Sequence, residues 1–301
     1  MKNPLESYKD QKVCIIGLGY VGLTLALSMA EIGFVVQGVE VRDEVIDSLN
    51  SYRAHFYEPG MNERISRVIK NKRLLYSKDI PSNFNASVYV ITVGTPLNED
   101  KKSRLDMVKN ATDQVSNYLK KDDLIIMRST VKLGITRSLV MPILDKVGCE
   151  YDIAFAPERT LAGNALAEIR SLPQIIGGGN NKSTIRASQL FQFLTPTVVR
   201  VSDIETAEMI KLVDNAQRDV SFAYSNEIAI ACDTIGINAA EVIRAGKLGY
   251  PRTNLPLPGP VGGPCLEKDS YILAEGLNEL GFKAEITLAA RKCNERQPQY
   301  I

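Results

Sequence analysis

Short apolar runs alternate with amphipathic stretches over the first two thirds of the chain. The runs are rich in β-branched residues, which favour strands, and the stretches Leu23–Ile32 and Met107–Leu119 carry a helical pattern. The predicted strands are Val13–Ile16, Val35–Val39, Val88–Val93, Leu124–Met127, Ile153–Phe155 and Gln174–Ile176. Such alternation is typical of an α/β fold with a parallel, doubly wound sheet.

A different pattern begins after residue 200. The positions from Ile204 to about Ile235 predict one long helix, with Ser202 and Glu205 as a capping box at its start and Gly236 as its stop. Roughly 30 residues at 1.5 Å each span about 45 Å, which is more than a single globule usually needs. We therefore expect this helix to join two domains or to pack against a partner subunit.

The region after the long helix predicts a further helix, a Pro/Gly-rich loop (PLPGPVGGPC) and another helical stretch. The last segment, NERQPQYI, predicts no strong element and resembles the start of a connection. The pattern therefore predicts an α/β domain over residues 1–200 and a helical domain over residues 201–301.

Composition narrows the functional classes. The 301 residues carry a net charge of +1, with scattered Lys and Arg, which gives no reason to expect a nucleic-acid or membrane partner. No apolar run approaches the roughly 18 residues that a membrane span needs. Five cysteines without a CxxC pair and a single histidine, His55, predict neither a disulfide framework nor a metal site. These features favour a reduced, cytoplasmic protein.

A glycine motif follows the first predicted strand. Gly17, Gly19 and Gly22 form GxGxxG, which allows a tight turn, close approach of a pyrophosphate and close helix–strand packing. Glu40 ends the next strand, where a carboxylate can hydrogen-bond a ribose 2′-hydroxyl. The motif thus predicts NAD, with Arg42 leaving NADP open; the alternative is a plain glycine turn beside an exposed glutamate.

Lys211 and Asn215 lie four residues apart on the predicted long helix and so share one face. An ammonium and an amide side by side can donate hydrogen bonds to a developing oxyanion. A surface lysine and a helix-interior asparagine are the alternative, and the spacing alone favours that alternative.

Cys265 lies in the glycine-rich stretch GPVGGPCLEKD. Glycines keep the backbone close to a bound ligand, and a helix that begins after a cysteine favours its reactive thiolate. Asp269 shares the face of Cys265 if residues from Leu266 onward are helical. A nucleophile and a buried structural thiol remain equal alternatives, whereas the other four cysteines lie in apolar or helical patterns and are interpreted as core or incidental.

These motifs occur in an order that resembles the UDP-glucose/GDP-mannose dehydrogenase family, NAD-dependent enzymes that oxidise a nucleotide sugar at C6 to the uronic acid. The resemblance runs from about Val13 to Ile301 through GLGYVGL, YEPGM, VGTPL, STV, APERTLAGNAL, ETAEMIKLVDNAQRDVSFAYSNE and GPVGGPCLEKD. Related β-hydroxyacid dehydrogenases share the fold and a lysine on the long helix, but not the cysteine loop.

The resemblance implies a role for each matching residue. It makes Cys265 the nucleophile, places Lys211 and Asn215 around the reacting oxygen, and makes Asp269 a carboxylate that helps to position or activate water and lysine. Thr130 and Glu158 match positions that hold the hydrolytic water. The implied cofactor site is Gly17, Gly19, Tyr20, Val21, Gly22, Glu40, Arg42, Thr95 and Thr130, and the implied substrate site is Leu161, Ala162, Gly163, Arg252 and Gly262.

The implied reaction removes four electrons, so two NAD molecules accept two hydrides in turn. A cysteine thiohemiacetal, and then a thioester, holds the intermediate between the two steps. The resemblance also implies a helical central domain that forms a homodimer through the long helix, and a role in polysaccharide precursor synthesis.

Three alternatives remain open at this point. Members of the family normally continue past the NERQP region into a third domain that binds the nucleotide, whereas this sequence stops at Ile301. We therefore expect either a UDP-hexose or UDP-N-acetylhexosamine 6-dehydrogenase, or a truncated, inactive NAD-binding and dimerisation module. A small-hydroxyacid dehydrogenase of the related fold is the third alternative, and it would not need Cys265.

Overall fold

The structure is a computed structural model that describes residues 4–300. It divides the chain into two compact units. The first comprises residues 1–95 and 105–208, and the second comprises residues 96–104 and 209–301. The boundary thus lies eight residues after the predicted one at 200/201. Residues 96–104, which the sequence pattern placed in the first domain, belong to the second unit.

The first unit is built on one eight-stranded sheet. The strands are β1 Lys12–Ile16, β2 Val35–Val39, β3 Leu74–Ser77, β4 Val88–Ile91, β5 Leu124–Met127, β6 Asp152–Phe155, β7 Gln174–Gly178 and β8 Val198–Arg200. Their order in the sheet is β3-β2-β1-β4-β5-β6-β7-β8. All six predicted strands are confirmed within two residues at each end. The pattern missed β3 and β8, which are partly exposed strands of four and three residues.

The sheet is not wholly parallel, which corrects the expectation. β7 pairs antiparallel with β6, with Ala154 opposite Gly178 and Phe155 opposite Gly177, whereas the other pairs are parallel. The chain leaves the carboxyl end of β6, forms only the short helix α6 (Ala165–Ser171), and enters β7 without returning to the opposite edge. A parallel neighbour would need a full crossover connection.

Helices flank this sheet and cover its apolar faces. They are α1 Tyr20–Ile32, α2 Asp43–Asn50, α3 Met61–Lys70, α4 Asp106–Ser116, α5 Met141–Asp145, α6 and α7 Asn181–Phe191, with a π-helical turn at Thr136–Val140 before α5. Nine consecutive residues of α1, from Gly22 to Ala30, are buried, because this helix packs at the centre of the core of the first unit. The predicted helices Leu23–Ile32 and Met107–Leu119 are confirmed as α1 and α4.

The long helix is confirmed as α8, Ile204–Thr234, which begins in the first unit and continues into the second. Its predicted capping box is wrong, because Asp203 makes the cap: its Oδ1 accepts the Thr206 backbone N–H at 2.8 Å. Ser202 instead bonds to the side chains of Asp203 and Thr206. The predicted stop is confirmed at Gly236, whose φ of +74° suits glycine.

The second unit is helical, with α8 followed by α9 Ala239–Lys247, α10 Asp269–Glu279 and α11 Glu285–Tyr300. A small apolar core of Leu212, Ala216, Ile272 and Leu273 joins α8 to α10. The prediction that NERQPQYI lacks an element is wrong, since α11 includes it as far as Tyr300 with Pro298 inside the helix. Buried Arg291, Asn294 and Gln297 give α11 a buried polar face that a hydrophobicity pattern does not detect.

Candidate active site

The GxGxxG turn lies where the strand order reverses, between β1 and β4. Gly17 has a φ of +92°, and a Cβ added at Gly22 would lie 1.8 Å from the Gly17 carbonyl oxygen, so both positions require glycine. Gly19 caps α1 and has no side chain to bond the first N–H groups of the helix. An open helix N-terminus at such a switch point fits the pyrophosphate of a dinucleotide.

Glu40 lies directly after β2 and is buried. Its Oε2 accepts the Leu18 backbone N–H at 3.0 Å, and the half-exposed Arg42 guanidinium bonds both of its oxygens. Burial opposes ionisation, but the hydrogen bonds from Arg42 and Leu18 outweigh it and hold the pKa of Glu40 below its usual value. An ionised carboxylate in this place suits a ribose diol, which would compete with Arg42 for the same oxygens.

Two of the implied cofactor residues are directly bonded. The Thr95 hydroxyl, which is buried after β4, donates to the Thr130 carbonyl at 2.5 Å. This bond joins the VGTPL and STV segments at the carboxyl ends of adjacent strands β4 and β5, the edge at which ligands bind in open α/β sheets. Val21 lies in the first turn of α1, beside Gly22.

Glu158 is buried after β6, where Arg128 neutralises it. One Arg128 nitrogen donates to Glu158 Oε2 at 2.6 Å, and the Arg159 and Thr160 backbone N–H groups donate to Oε1. Burial raises the pKa of a carboxyl, yet Arg128 and the two backbone donors outweigh it, so the pKa of Glu158 lies below its usual value. This glutamate is therefore held as a carboxylate rather than poised as an acid.

The implied substrate loop, Leu161–Gly163, is bonded to the first turn of α1. Glu58 accepts hydrogen bonds from the Tyr20 hydroxyl at 2.7 Å and from the Gly163 backbone N–H at 2.9 Å. Its other oxygen accepts the Leu166 N–H at the start of α6. Leu161 and Ala162 are exposed, and Gly163 has a φ of +86°. One buried carboxylate thus holds the loop and Tyr20, an implied cofactor residue, together.

In the second unit, Asn215 and Asp269 are directly bonded. Asn215 Nδ2 on α8 donates to Asp269 Oδ2 at 2.6 Å, both residues are buried, and Lys268 Nζ bonds the other oxygen. Lys211 lies one turn before Asn215 and is partly buried.

Cys265 is exposed, and its carbonyl accepts the Asp269 N–H, so Asp269 follows it by one helical turn. The α-helix itself begins only at Asp269, three residues later than the expected Leu266. An exposed thiol does not match the alternative of a buried structural cysteine.

The remaining implied substrate residues are exposed. Arg252 stacks its guanidinium over the Tyr250 ring at 4.6 Å, and Gly262 lies in the cysteine loop, where an added Cβ would meet the Glu267 carboxylate. Of the other cysteines, Cys14 and Cys232 are buried, as interpreted from their patterns, while Cys149 and Cys293 are partly exposed.

Both units match known protein families. Residues 11–195 match the NAD-binding domain of the UDP-glucose/GDP-mannose dehydrogenase family, and residues 205–296 match the central domain of the same family. The chain belongs to this family. The predicted family and the predicted NAD cofactor are thereby confirmed.

Relatives within the family act on nucleotide sugars. The chain is 34% identical to the UDP-N-acetyl-D-mannosamine dehydrogenase of Methanococcus maripaludis, over 98% of this chain and 67% of that protein. It is 32% identical to the NDP-N-acetyl-D-galactosaminuronic acid dehydrogenase of Ralstonia solanacearum, over 96% and 70%. The solved UDP-D-ManNAc dehydrogenase of Pyrococcus horikoshii superposes with a TM-score of 0.90 at 31% identity, over 96% and 69%.

Sequence reasoning missed two residues of the first unit. Glu58 lies in the YEPGM segment of the resemblance, and Arg128 directly precedes STV. A glutamate between tyrosine and proline was a usable signal for Glu58, whereas the role of Arg128 depends on a partner 30 residues away. Within residues 4–300, the structure shows no helix long and apolar enough to cross a membrane and no group of three His, Cys, Asp or Glu side chains suited to a metal.

Proposed function

We propose that the chain catalyses the NAD-dependent oxidation of a UDP-N-acetylhexosamine at C6 to the uronic acid, with Cys265 as the nucleophile. The observation that carries the proposal is the exposed Cys265 thiol, one helical turn before a buried Asp269 that Asn215 holds at 2.6 Å. The relatives that act on N-acetylated nucleotide sugars favour this substrate class over UDP-glucose. The product would serve as a precursor for polysaccharide synthesis.

The four-electron change explains why a cysteine is needed. After the first oxidation, the Cys265 thiolate adds to the aldehyde carbon and forms a thiohemiacetal, which retains the intermediate. Loss of a second hydride from that carbon gives a thioester. Water then adds to the thioester, and the C–S bond breaks. The Cys265 thiolate departs, and the carboxylic acid is released as the product. NAD, when bound, accepts one hydride in each oxidation.

The polar groups have distinct roles in this scheme. Lys211 and Asn215 donate hydrogen bonds to the oxygen of C6 as negative charge develops on it. Asp269 fixes the Asn215 amide, because its Oδ2 accepts from Asn215 Nδ2. An orienting carboxylate of this kind lowers the cost of reorganisation during the reaction.

Thr130 and Glu158 hold the hydrolytic water in our proposal. Glu158 accepts three hydrogen bonds from Arg128, Arg159 and Thr160, and a carboxylate offers about four acceptor positions, which leaves one for water. Because Arg128 keeps Glu158 ionised, the negative charge of Glu158 orients the water. Leu161, Ala162, Gly163, Gly262 and Arg252 are the proposed contacts for the nucleotide sugar.

We further propose a homodimer formed through α8. Its length and the exposed apolar side chains Val213, Tyr224 and Ile230 support a subunit interface along this helix. Free thiols at all five cysteines suit a cytoplasmic location.

A spectroscopic assay of NADH formation tests the activity. We expect turnover with UDP-N-acetylmannosamine or UDP-N-acetylglucosamine above that with UDP-glucose and GDP-mannose. Cys265→Ser should lower kcat by about a thousandfold or more while NADH binding persists, because the covalent step is lost. Cys149→Ser, which changes a partly exposed thiol in the first unit, is the matched control and should keep the wild-type rate.

Two outcomes would contradict the proposal in different ways. Uronic acid formation by Cys265→Ser at the wild-type rate would remove the covalent role. Enhanced NADH fluorescence without turnover on any nucleotide sugar would favour the second candidate, a cofactor-binding and dimerisation module. The chain spans 67–70% of the length of the relatives described above.

A further inference from the structure

Four buried polar side chains of the second unit lie outside the residues assigned above. Asp219 and Asn226 on α8 are 0% exposed, and Arg291 and Asn294 on α11 are 2% and 1% exposed. Burying charged and amide groups is costly unless they are fully paired. Their partners therefore indicate what these residues hold in place.

Arg291 bonds the backbone on both sides of Cys265. One of its terminal nitrogens donates to the Leu266 carbonyl at 2.9 Å, and the other lies 3.3 Å from the Val261 carbonyl. Leu266 directly follows Cys265, and Val261 precedes it by four residues. A planar guanidinium can bond two carbonyls in a fixed geometry, which a lysine ammonium cannot reproduce.

Asp219 in turn fixes Arg291. Its Oδ1 accepts from Arg291 at 2.7 Å and from Asn294 at 2.8 Å, and its Oδ2 accepts from the Ser270 hydroxyl on α10. The carboxylate therefore joins α8, α10 and α11 in one buried network. With Asp219 in place, the guanidinium has one orientation.

Asn226 holds the other end of the cysteine loop. Its Oδ1 accepts the Gly259 N–H at 2.8 Å, and its Nδ2 donates to the Gly259 carbonyl and to Asn294. The sequence between these anchors, GPVGGPC, contains three glycines, which give an unanchored backbone wide conformational freedom. Bonds at Gly259, Val261 and Leu266 restrict that freedom around the thiol.

We propose that Arg291 is a positioning residue for Cys265, with Asp219 orienting Arg291 and Asn226 anchoring the start of the loop. This inference rests on the proposed function of Cys265 as nucleophile. Arg291 does not touch the thiol; it acts by holding the carbonyl of the next residue and so sets where the sulfur points. The same buried stripe of α8 thus carries Asn215, Asp219 and Asn226, spaced by four and seven residues.

Arg291→Lys tests the proposal, because it keeps the positive charge beside Asp219 and removes the fork that bonds both carbonyls. We expect amide hydrogen exchange in residues 259–266 to become at least tenfold faster. Alkylation of Cys265 by iodoacetamide, followed by peptide mass spectrometry, should slow by threefold or more, because the thiol spends less time in its oriented turn. We also expect kcat to fall about tenfold with the affinity for NADH unchanged.

Two internal controls separate positioning from general stability. Arg186→Lys alters a buried arginine of the first unit that bonds Asp10 and Asp152, and it should change none of the three readouts at Cys265. The alkylation rate of Cys149 should stay constant in every variant. Asn226→Ala removes the bonds to Gly259 and to Asn294 but keeps both bonds from Arg291 to the loop carbonyls. It should accelerate exchange in the same loop and provides a second variant if Arg291→Lys does not fold.

Exchange and alkylation do not require turnover, so they test positioning separately from the proposed reaction. Wild-type exchange and alkylation rates in both Arg291→Lys and Asn226→Ala would overturn the proposal. Faster exchange with an unchanged Cys265 alkylation rate would also overturn it, since the loop would then not control the thiol. A fully active Cys265→Ser variant would refute the covalent role alone and leave the positioning result standing.

Discussion

At the scale of single residues, buried carboxylates organise the first unit. Glu58 accepts hydrogen bonds from Tyr20 and Gly163. Glu158 accepts one from Arg128. Glu208 accepts hydrogen bonds from Gly134 and Thr136. Burial raises the pKa of Glu208, against the hydrogen bonds from Thr136 and Gly134. Two of the three orient loops after strands at the ligand-binding edge of the sheet, where positioning matters for function.

Glu58→Gln should loosen the substrate loop. A glutamine places an N–H donor where Glu58 now accepts the Gly163 and Leu166 N–H groups, so one buried donor loses its partner at a cost of about 1 to 3 kcal/mol. We expect KM for the nucleotide sugar to rise about tenfold, with a smaller change in NADH affinity.

Glu31→Gln is the matched control for Glu58. Glu31 lies on α1 and, like Glu58, is largely buried, but it bonds Arg64, Arg67 and Arg170 rather than the loop. It should lower stability without raising KM. Equal effects of both variants on KM would show that the loop responds to general destabilisation and not to the Glu58 carboxylate.

The buried carboxyl of Asp123 should make the stability of the protein depend on pH. Burial raises its pKa to about 6, against a partly opposing hydrogen bond from the Lys120 N–H. The pKa of Asp123 in the folded protein exceeds the unfolded value of about 3.9. The contribution of Asp123 to the free energy of unfolding is therefore fully present below pH 3.9 and is lost as pH rises toward 6. Asp123→Asn should therefore stabilise the protein by about 1 to 3 kcal/mol at pH 7 and by little at pH 4.

Chemical denaturation at pH 4, 5, 6 and 7 measures this effect. Asp122→Asn, at the exposed neighbouring position, is the control and should change stability by less than about 0.5 kcal/mol at each pH, since its contact with Lys182 is solvent-exposed. A gain in Asp123→Asn that is equal at pH 4 and pH 7 would contradict the assignment to Asp123 ionisation.

At the scale of elements, α1 and α8 carry the two halves of the proposed machinery in different ways. α1 approaches β1 so closely that glycine is obligatory at position 22, and its capping residue Gly19 leaves the helix start open. α8 presents a buried polar stripe that bonds Asp269, Arg291 and Gly259. The packing of α1 depends on glycines, which have no side chain, whereas the packing of α8 depends on side chains that form hydrogen bonds.

Gly22→Ala should separate α1 from β1. The added Cβ would lie 1.8 Å from the Gly17 carbonyl oxygen and 2.6 Å from the Thr92 hydroxyl, so backbone must move. We expect a loss of stability of about 3 kcal/mol or more and NADH binding weakened at least a hundredfold, measured by thermal unfolding and fluorescence titration. Gly246→Ala, in open space on α9, should be neutral or slightly stabilising; comparable losses in both variants would refute the packing argument.

At the scale of the whole molecule, α8 belongs to both units and is the element through which we propose subunits to associate. Light scattering should give a mass of about twice 33.2 kDa at micromolar concentrations. Tyr224→Glu should shift it toward 33.2 kDa, because a charge would be buried at the interface.

Val147→Glu, at an apolar position of similar exposure in the first unit, is the control for charge on the surface and should leave the dimer intact. A monomeric wild-type chain, or a dimer unaffected by Tyr224→Glu, would place the association elsewhere or remove it.

The amino-acid sequence by itself determined the elements that rest on local periodicity and on motifs with a physical mechanism. Six of the eight strands, α1, α4 and α8, the glycine turn, Glu40 and the Cys265 loop were all readable, because each depends on neighbours within one turn or one strand–helix connection. Ordered motifs also identified the family.

Only the tertiary structure decided the features that depend on distant partners. The direction of β7 depends on where the chain reverses, and residues 96–104 belong to the second unit through contacts with distant segments. The pairs Arg128–Glu158 and Asp219–Arg291 join positions 30 or more residues apart. Hydrophobic periodicity records which side of an element is buried, but it does not record which polar group will meet another there. For this reason the sequence indicated Cys265, while the side chains that hold its loop became visible only in the folded chain.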